Sequence, residues 1–324
     1  MHSIVNRFLG FLKRHTVILR LAMVVVLFTI ILRNVHPLSI VAAFRQADPT
    51  FLIYALIFMI PNMLIQIFKW KYILRNLTPH LSFKSIVLSV FGGFFLGAAS
   101  PARTGELARG LFIPGHSRIK IASLTIVDKG FNQIVIIIFG LFSLGFLLPW
   151  PLSLIPFISE IFFMYIILNL HRLKPGLERF LNKFTHSERV NNALAAFDAL
   201  STKSVLVMFG FSLTFYIIFI SQFYILVLCF TPLPIYIAFK TLPVVYLVQL
   251  LLPISLGDFG VKEFTTVKLL SLFGISGEFA FSAMFTNNIL TFLLPSILGG
   301  LMVALYQPLR SIEDLSSNDR TDSR

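Results

Sequence analysis

An all-α, polytopic membrane bundle is the fold class this sequence predicts, and three observations predict it. Of the 324 residues, 56% are hydrophobic and only 13% are charged, with a mean hydropathy of +0.86; a soluble domain is about a quarter charged. The apolar residues fall into runs long enough to cross a hydrocarbon core about 30 Å thick, separated by short polar stretches. The net charge of +13 comes from basic residues that gather beside those runs, where topology signals lie. This composition excludes a soluble enzyme, a disordered chain and a nucleic-acid-binding domain.

The first run, Val17 to Leu32, follows a basic start but lacks a small-x-small cleavage site, so it reads as a retained span. Seven more follow: Phe51 to Phe68, Phe83 to Ala99, Ile121 to Leu148, Leu152 to Leu170, Val205 to Phe230, Ile235 to Leu252 and Phe279 to Tyr306. Arg7, Lys13 and Arg14 precede the first run, and Arg20 stands in its first turn. Lys69, Lys71 and Arg75, with Lys84 at the start of the third run, mark the junction of the second and third, and Arg172, Lys174, Arg179, Lys183, Arg189 and Lys203 separate the fifth and sixth. The turns Pro149 to Pro151 and Thr231 to Pro234 carry no Lys or Arg. The positive-inside rule then predicts a multi-pass protein of the inner (cytoplasmic) membrane with a cytoplasmic N-terminus.

Strict alternation fails at the third run, which should end outside although the next begins beside Arg118 and Lys120. A re-entrant hairpin over Phe83 to Pro114, broken at the polar stretch Ser100 to Gly110, repairs it. A second hairpin over Ile235 to Phe273 repairs the seventh run. The expected bundle has six full spans plus two re-entrant broken hairpins; eight plain spans with one displaced boundary is the other arrangement. Residues 172–203 form the one sizeable polar segment, with Leu177, Phe180, Leu181 and Phe184 at amphipathic spacing. That segment reads either as a site recruiting anionic lipid or as a plain connector. The polar tail, residues 311–324, reads as disordered.

Two stretches repeat one pattern. SPARTGELAR (Ser100 to Arg109) and PISLGDFGVKE (Pro253 to Glu263) both read Pro-x-x-x-Gly-acid. Pro101 and Pro253, Gly105 and Gly257, and Glu106 and Asp258 each stand 152 residues apart. Residues 17–148 and 152–306 therefore read as two halves of a single membrane domain, and the hairpins' opposite entry makes the repeat inverted. In carriers of that architecture the substrate sits where broken helices meet near the midplane. Pro101, Gly105, Pro253, Gly257 and Gly260 are the helix-breaking residues, since Pro removes a donor and Gly relaxes the backbone.

Charged residues inside apolar segments are costly unless paired or hydrated. Arg103, Glu106 and Arg109 follow at i, i+3, i+6, so Glu106 can bridge either arginine. Their net positive charge suits a phosphate-bearing head group, with a structural ion pair as the plainer reading. Asp258, Lys262 and Glu263 carry a net negative charge that suits a cationic group or a coupling ion, unless Asp258 and Lys262 simply neutralise each other. Asp128 and Asn132 share one face of the fourth run. Glu160, alone within an apolar run, reads as a proton relay or a protonated hydrogen-bonding group. Asn287 and Asn288 read as contacts between helices. The lone Cys229 and seven scattered histidines offer no metal site, and no cofactor is expected.

These motifs, with VDKGFNQ opening the fourth run, resemble the membrane region of lysylphosphatidylglycerol synthetase and its stand-alone flippase-like relatives. The resemblance spans nearly the whole chain. It points to Pro101, Arg103, Gly105, Glu106 and Arg109, to Asp128, and to Pro253, Gly257, Gly260 and Glu263. Lys129 departs from the arginine usual there, and Asp258 from a second glycine. The resemblance implies movement of a phospholipid or polyprenyl-phosphate-linked lipid between leaflets. No soluble aminoacyl-transfer domain follows Arg310, so the expectation is a transporter rather than an enzyme. The predicted partners are an anionic lipid and the membrane, with no nucleic acid; a homo-oligomer is compatible with this. A membrane glycosyltransferase using a lipid-phosphate donor, and a non-catalytic subunit of a lipid or polysaccharide pathway, are the rival readings.

Overall fold

The computed structural model describes residues 37–75, 80–114, 117–168, 202–252 and 259–305, together with Thr29. Most of the predicted first span, the connector as far as residue 201, the polar tail, and Pro253, Gly257 and Asp258 lie outside the described residues. Helices dominate the rest. Four are long and apolar enough to cross a membrane: α2 (Pro49–Leu74), α4 (Arg118–Leu147), α6 (Thr202–Phe230) and α9 (Gly277–Leu305). Three shorter apolar helices stand among them: α3 (Phe83–Ala98), α5 (Leu154–Leu168) and α7 (Ile235–Leu251). At 1.5 Å per residue the 16 residues of α3 reach only about 24 Å, less than a hydrocarbon core. A polar 3₁₀ helix, η1 (Pro101–Phe112), follows α3, and a short helix, α8 (Val261–Ser271), follows α7.

The ends of these helices are set by local chemistry. Asp48 accepts the Thr50 N–H at 2.8 Å and Pro49 opens α2, while Ser82 accepts the Ser85 N–H at 3.2 Å to start α3. A π turn over Ile289–Leu293 interrupts α9. One element was not predicted: α1 (Pro37–Gln46) lies between the first and second predicted runs, and its Ala43 is buried. Ten residues with one short apolar face give too little periodicity to stand out beside full-length spans.

Two apolar cores organise the packing. Trp70, Ile86, Phe94, Ile121 and Phe131 belong to one, built by α2, α3 and α4. Phe223, Leu242, Val267, Ala280 and Met284 belong to the other, built by α6, α7, α8 and α9. The cores meet along α2 against α6, where Asn62 donates to Gln222 at 3.2 Å and Gln222 donates to the Ala55 carbonyl at 3.0 Å. They also meet along α4 against α7, where Gly140 lets Leu247 approach.

Candidate functional site

The site is built on η1. Ser100 accepts the Gly105 N–H at 2.6 Å and donates to the Gly97 carbonyl at 3.1 Å, which turns the chain back on itself after α3. With three residues per turn, side chains at i and i+3 eclipse in a 3₁₀ helix. Arg103, Glu106, Arg109 and Phe112 therefore fall along one line. That line lies on a bed of glycines: a Cβ on Gly97 would stand 2.7 Å from Glu106 Cγ, and one on Gly93 2.7 Å from Arg109 Cγ. One on Gly92 would stand 2.3 Å from the Phe112 ring. As numbers rise along η1 they fall along α3, so the two run antiparallel as a hairpin.

Neighbouring helices complete a charge network. Glu106 Oε1 meets Arg103 Nε at 2.6 Å, while Oε2 meets Lys129 Nζ at 2.7 Å and Arg109 Nη2 at 3.2 Å. Asp128 lies 3.4 Å from Arg109 Nη1 and 2.9 Å from Lys69 Nζ. Lys69 also donates to the Asp128 carbonyl at 2.9 Å and to Asn132 Oδ1 at 2.6 Å, clamping α2 to α4. The Arg109 guanidinium lies over the Trp70 ring at 5.1 Å, and that of Arg103, whose φ is +56°, over Phe292 at 4.6 Å. Trp70 in turn donates to Ser89, and Ser89 to the Arg109 carbonyl, each at 3.1 Å. Buried charges persist when every one is matched by partners like these.

The network forms part of the wall of a cavity of about 410 Å³ lined from both cores. Arg103, Glu106, Arg109, Asp128 and Lys129 line it from the first; Tyr216, Phe219, Tyr246, Gln249 and Lys262 line it from the second. Access is unequal. The side chains of Arg103 and Lys129 are 24% and 35% exposed, whereas Glu106 is 2% and Arg109 5%. The buried Tyr216 hydroxyl has no hydrogen-bond partner among the described residues, although the chemistry of a buried phenol calls for one.

The family model for the lysylphosphatidylglycerol synthase TM region matches residues 17–299. The chain belongs to that family. A UPF0104 membrane protein of Methanocaldococcus jannaschii is 23% identical over 292 residues, covering 81% of this chain and 86% of that protein. Together with the four long apolar helices, the family makes this a multi-pass membrane protein.

Within this lysylphosphatidylglycerol synthase TM-region chain, the motif residues divide. Arg103, Glu106, Arg109 and Asp128 come together in one network, with Pro101 opening η1 and Gly105 in close contact with α3: a Cβ there would stand 2.0 Å from the Leu96 carbonyl oxygen. Lys262 lines the same cavity, 6.0 Å from the Tyr246 ring centroid. Glu263 does not line it. One of its oxygens accepts the Gly260 N–H at 2.7 Å and the other accepts from the Asn288 amide, so it caps α8 and ties it to α9. Asn287 donates to the Tyr246 hydroxyl at 3.0 Å, and both asparagines join helices as expected. Glu160 sits on α5, which packs on α4 away from the cavity.

Sequence reasoning missed several lining or supporting residues. Lys69, counted only with the cytoplasmic topology signals, is 2% exposed and bonded to Asp128. Lys129, read as a charge beside Asp128 and a departure from the family but not as a binding residue, is a direct partner of Glu106. Asn62, Gln66 and Tyr216 carried no signal at all. The glycines of FGGFFLG were the readable clue, because small residues one turn apart in an apolar segment mark a close approach.

Proposed function

We propose that this protein is a carrier that moves an anionic phospholipid or a polyprenyl-phosphate-linked lipid between leaflets, with no chemistry done on the lipid. The observation that carries this reading is the imbalance among the described residues of the network at the cavity wall: Arg103, Arg109 and Lys129, backed by Lys69, against Glu106 and Asp128. Cations in excess at an apolar site favour an anionic occupant, and guanidinium forks suit phosphate oxygens. Arg103 and Lys129 are the reachable ligands, while Arg109 and Lys69 hold the carboxylates in place. Lys262 adds a charge from the other side of the cavity, and Asp258, four positions earlier in the sequence, is the acid we assign to a polar or cationic part of the head group.

The membrane arrangement we propose is an inverted repeat of six full spans and two re-entrant hairpins in the inner membrane, with the N-terminus cytoplasmic. The short α3 with its returning η1 supports the first hairpin, and the constant 152-residue offset supports the repeat. Broken helices at membrane depth need protein or a wet cavity beside them. The test is a dithionite assay of labelled phosphatidylglycerol in proteoliposomes. The Arg103→Gln/Lys129→Gln double variant should flip the lipid at least about tenfold more slowly than wild type, two charge-assisted contacts being lost. Unchanged flipping by a folded double variant would overturn the reading.

A further inference from the structure

We infer that Glu106 is a built-in competitor for the substrate's phosphate: its carboxylate holds Arg103 and Lys129 between substrates, yields them to an arriving anion, and reclaims them to release it. This rests on the carrier reading above.

Three features of the geometry point this way. First, the two oxygens of Glu106 are divided between the two reachable cations, Oε1 on Arg103 and Oε2 on Lys129, at 2.6 and 2.7 Å. A phosphate presents the same charged oxygens to the same donors. Second, access is asymmetric. Arg103 and Lys129 are partly exposed on long side chains, whereas Glu106 is buried against Gly97, which leaves it no room to withdraw into α3. The cations can swing toward the cavity while the carboxylate stays. Third, Glu106 keeps a partner when they leave, because Arg109 holds Oε2 at 3.2 Å and is itself fixed to Asp128. A buried carboxylate stripped of every cation would be prohibitively unfavourable; one that retains Arg109 is not. Transport also needs this kind of opposition, since a site must bind well enough to load and weakly enough to unload.

The measurement is retention of phosphatidylglycerol against phosphatidylcholine by native mass spectrometry titration, alongside the flipping assay, on wild type, Glu106→Gln and Arg103→Gln/Lys129→Gln. Glu106→Gln keeps the shape and removes the competing charge, so it should bind phosphatidylglycerol about tenfold more tightly and flip it more slowly. A merely structural glutamate would weaken binding when neutralised. Equal or weaker binding by a folded Glu106→Gln protein overturns the inference. If that variant does not fold, Glu106→Asp decides: the charge stays but is drawn back from Arg103 and Lys129, and tightening is again the expected result, with none overturning it. Wild type without preference for phosphatidylglycerol would sink the carrier reading itself. Preference lost in the double variant but not tightened in the glutamate variants would sink this inference alone.

Discussion

Around Glu106 three cations converge within 3.2 Å, whereas Glu263, the acid that closes the second motif, gives one oxygen to the Gly260 backbone and the other to the Asn288 amide. Both acids are fully buried beside a Pro- and Gly-broken stretch of sequence. Their partners differ in kind. Those of Glu106 are charges on long side chains at a cavity wall, and two of them can turn elsewhere. Those of Glu263 are a helix start and a neighbouring helix, and neither has freedom to leave. The first motif thus makes an adjustable electrostatic site, and the second makes a brace that fixes where α8 begins.

The comparison breaks most visibly at the packing beneath each motif. Gly105→Ala places a methyl 2.0 Å from the Leu96 carbonyl oxygen, backbone that cannot step aside. About 3 kcal/mol of destabilisation or more is expected from such overpacking, read as a lowered melting temperature in detergent. An unchanged melting temperature would mean that η1 does not lie on α3 as described. Glu263→Gln sharpens the contrast between the acids. It should cost about 1–2 kcal/mol by weakening the Gly260 cap, yet leave the selectivity for phosphatidylglycerol where it is in wild type. A shift in selectivity as large as that from Glu106→Gln would erase the distinction drawn here. The smallest expected effect is at the seam between the cores: Asn62→Ala removes the contact with Gln222, about 1 kcal/mol by thermal melting, without abolishing lipid binding.

Much of the architecture was legible because span length is written in run length. The run Phe83 to Ala99 matches α3 (Phe83–Ala98), and Ile235 to Leu252 matches α7 (Ile235–Leu251). The break after Ala99 was legible from Pro101 and Gly105, but its 3₁₀ winding was not. On an α-helix Arg103, Glu106 and Arg109 share a face only approximately, and only the tighter coil puts them in one row. For Lys69 the sequence showed a topology marker and not the bond it makes. A lysine ending an apolar run is a topology marker by every local rule, and its true partner, Asp128, is 59 positions away. The reading that Glu106 could bridge either arginine was too modest, since it bridges both and Lys129 as well. No local pattern announced Tyr216, because an aromatic in an apolar helix is ordinary until its hydroxyl is seen without a partner among the described residues.

The stacking of Arg109 on Trp70 also gives the molecule an optical property. The chain contains two tryptophans, of which Trp70 is completely buried and Trp150 is 77% exposed. With Trp150 replaced by phenylalanine, the remaining indole would sit 5.1 Å from a guanidinium at the centre of the charge network. Its emission would report the electric field of the network that Arg109 shares with Glu106 and Asp128, so a change of charge there could be followed by light, with no label attached.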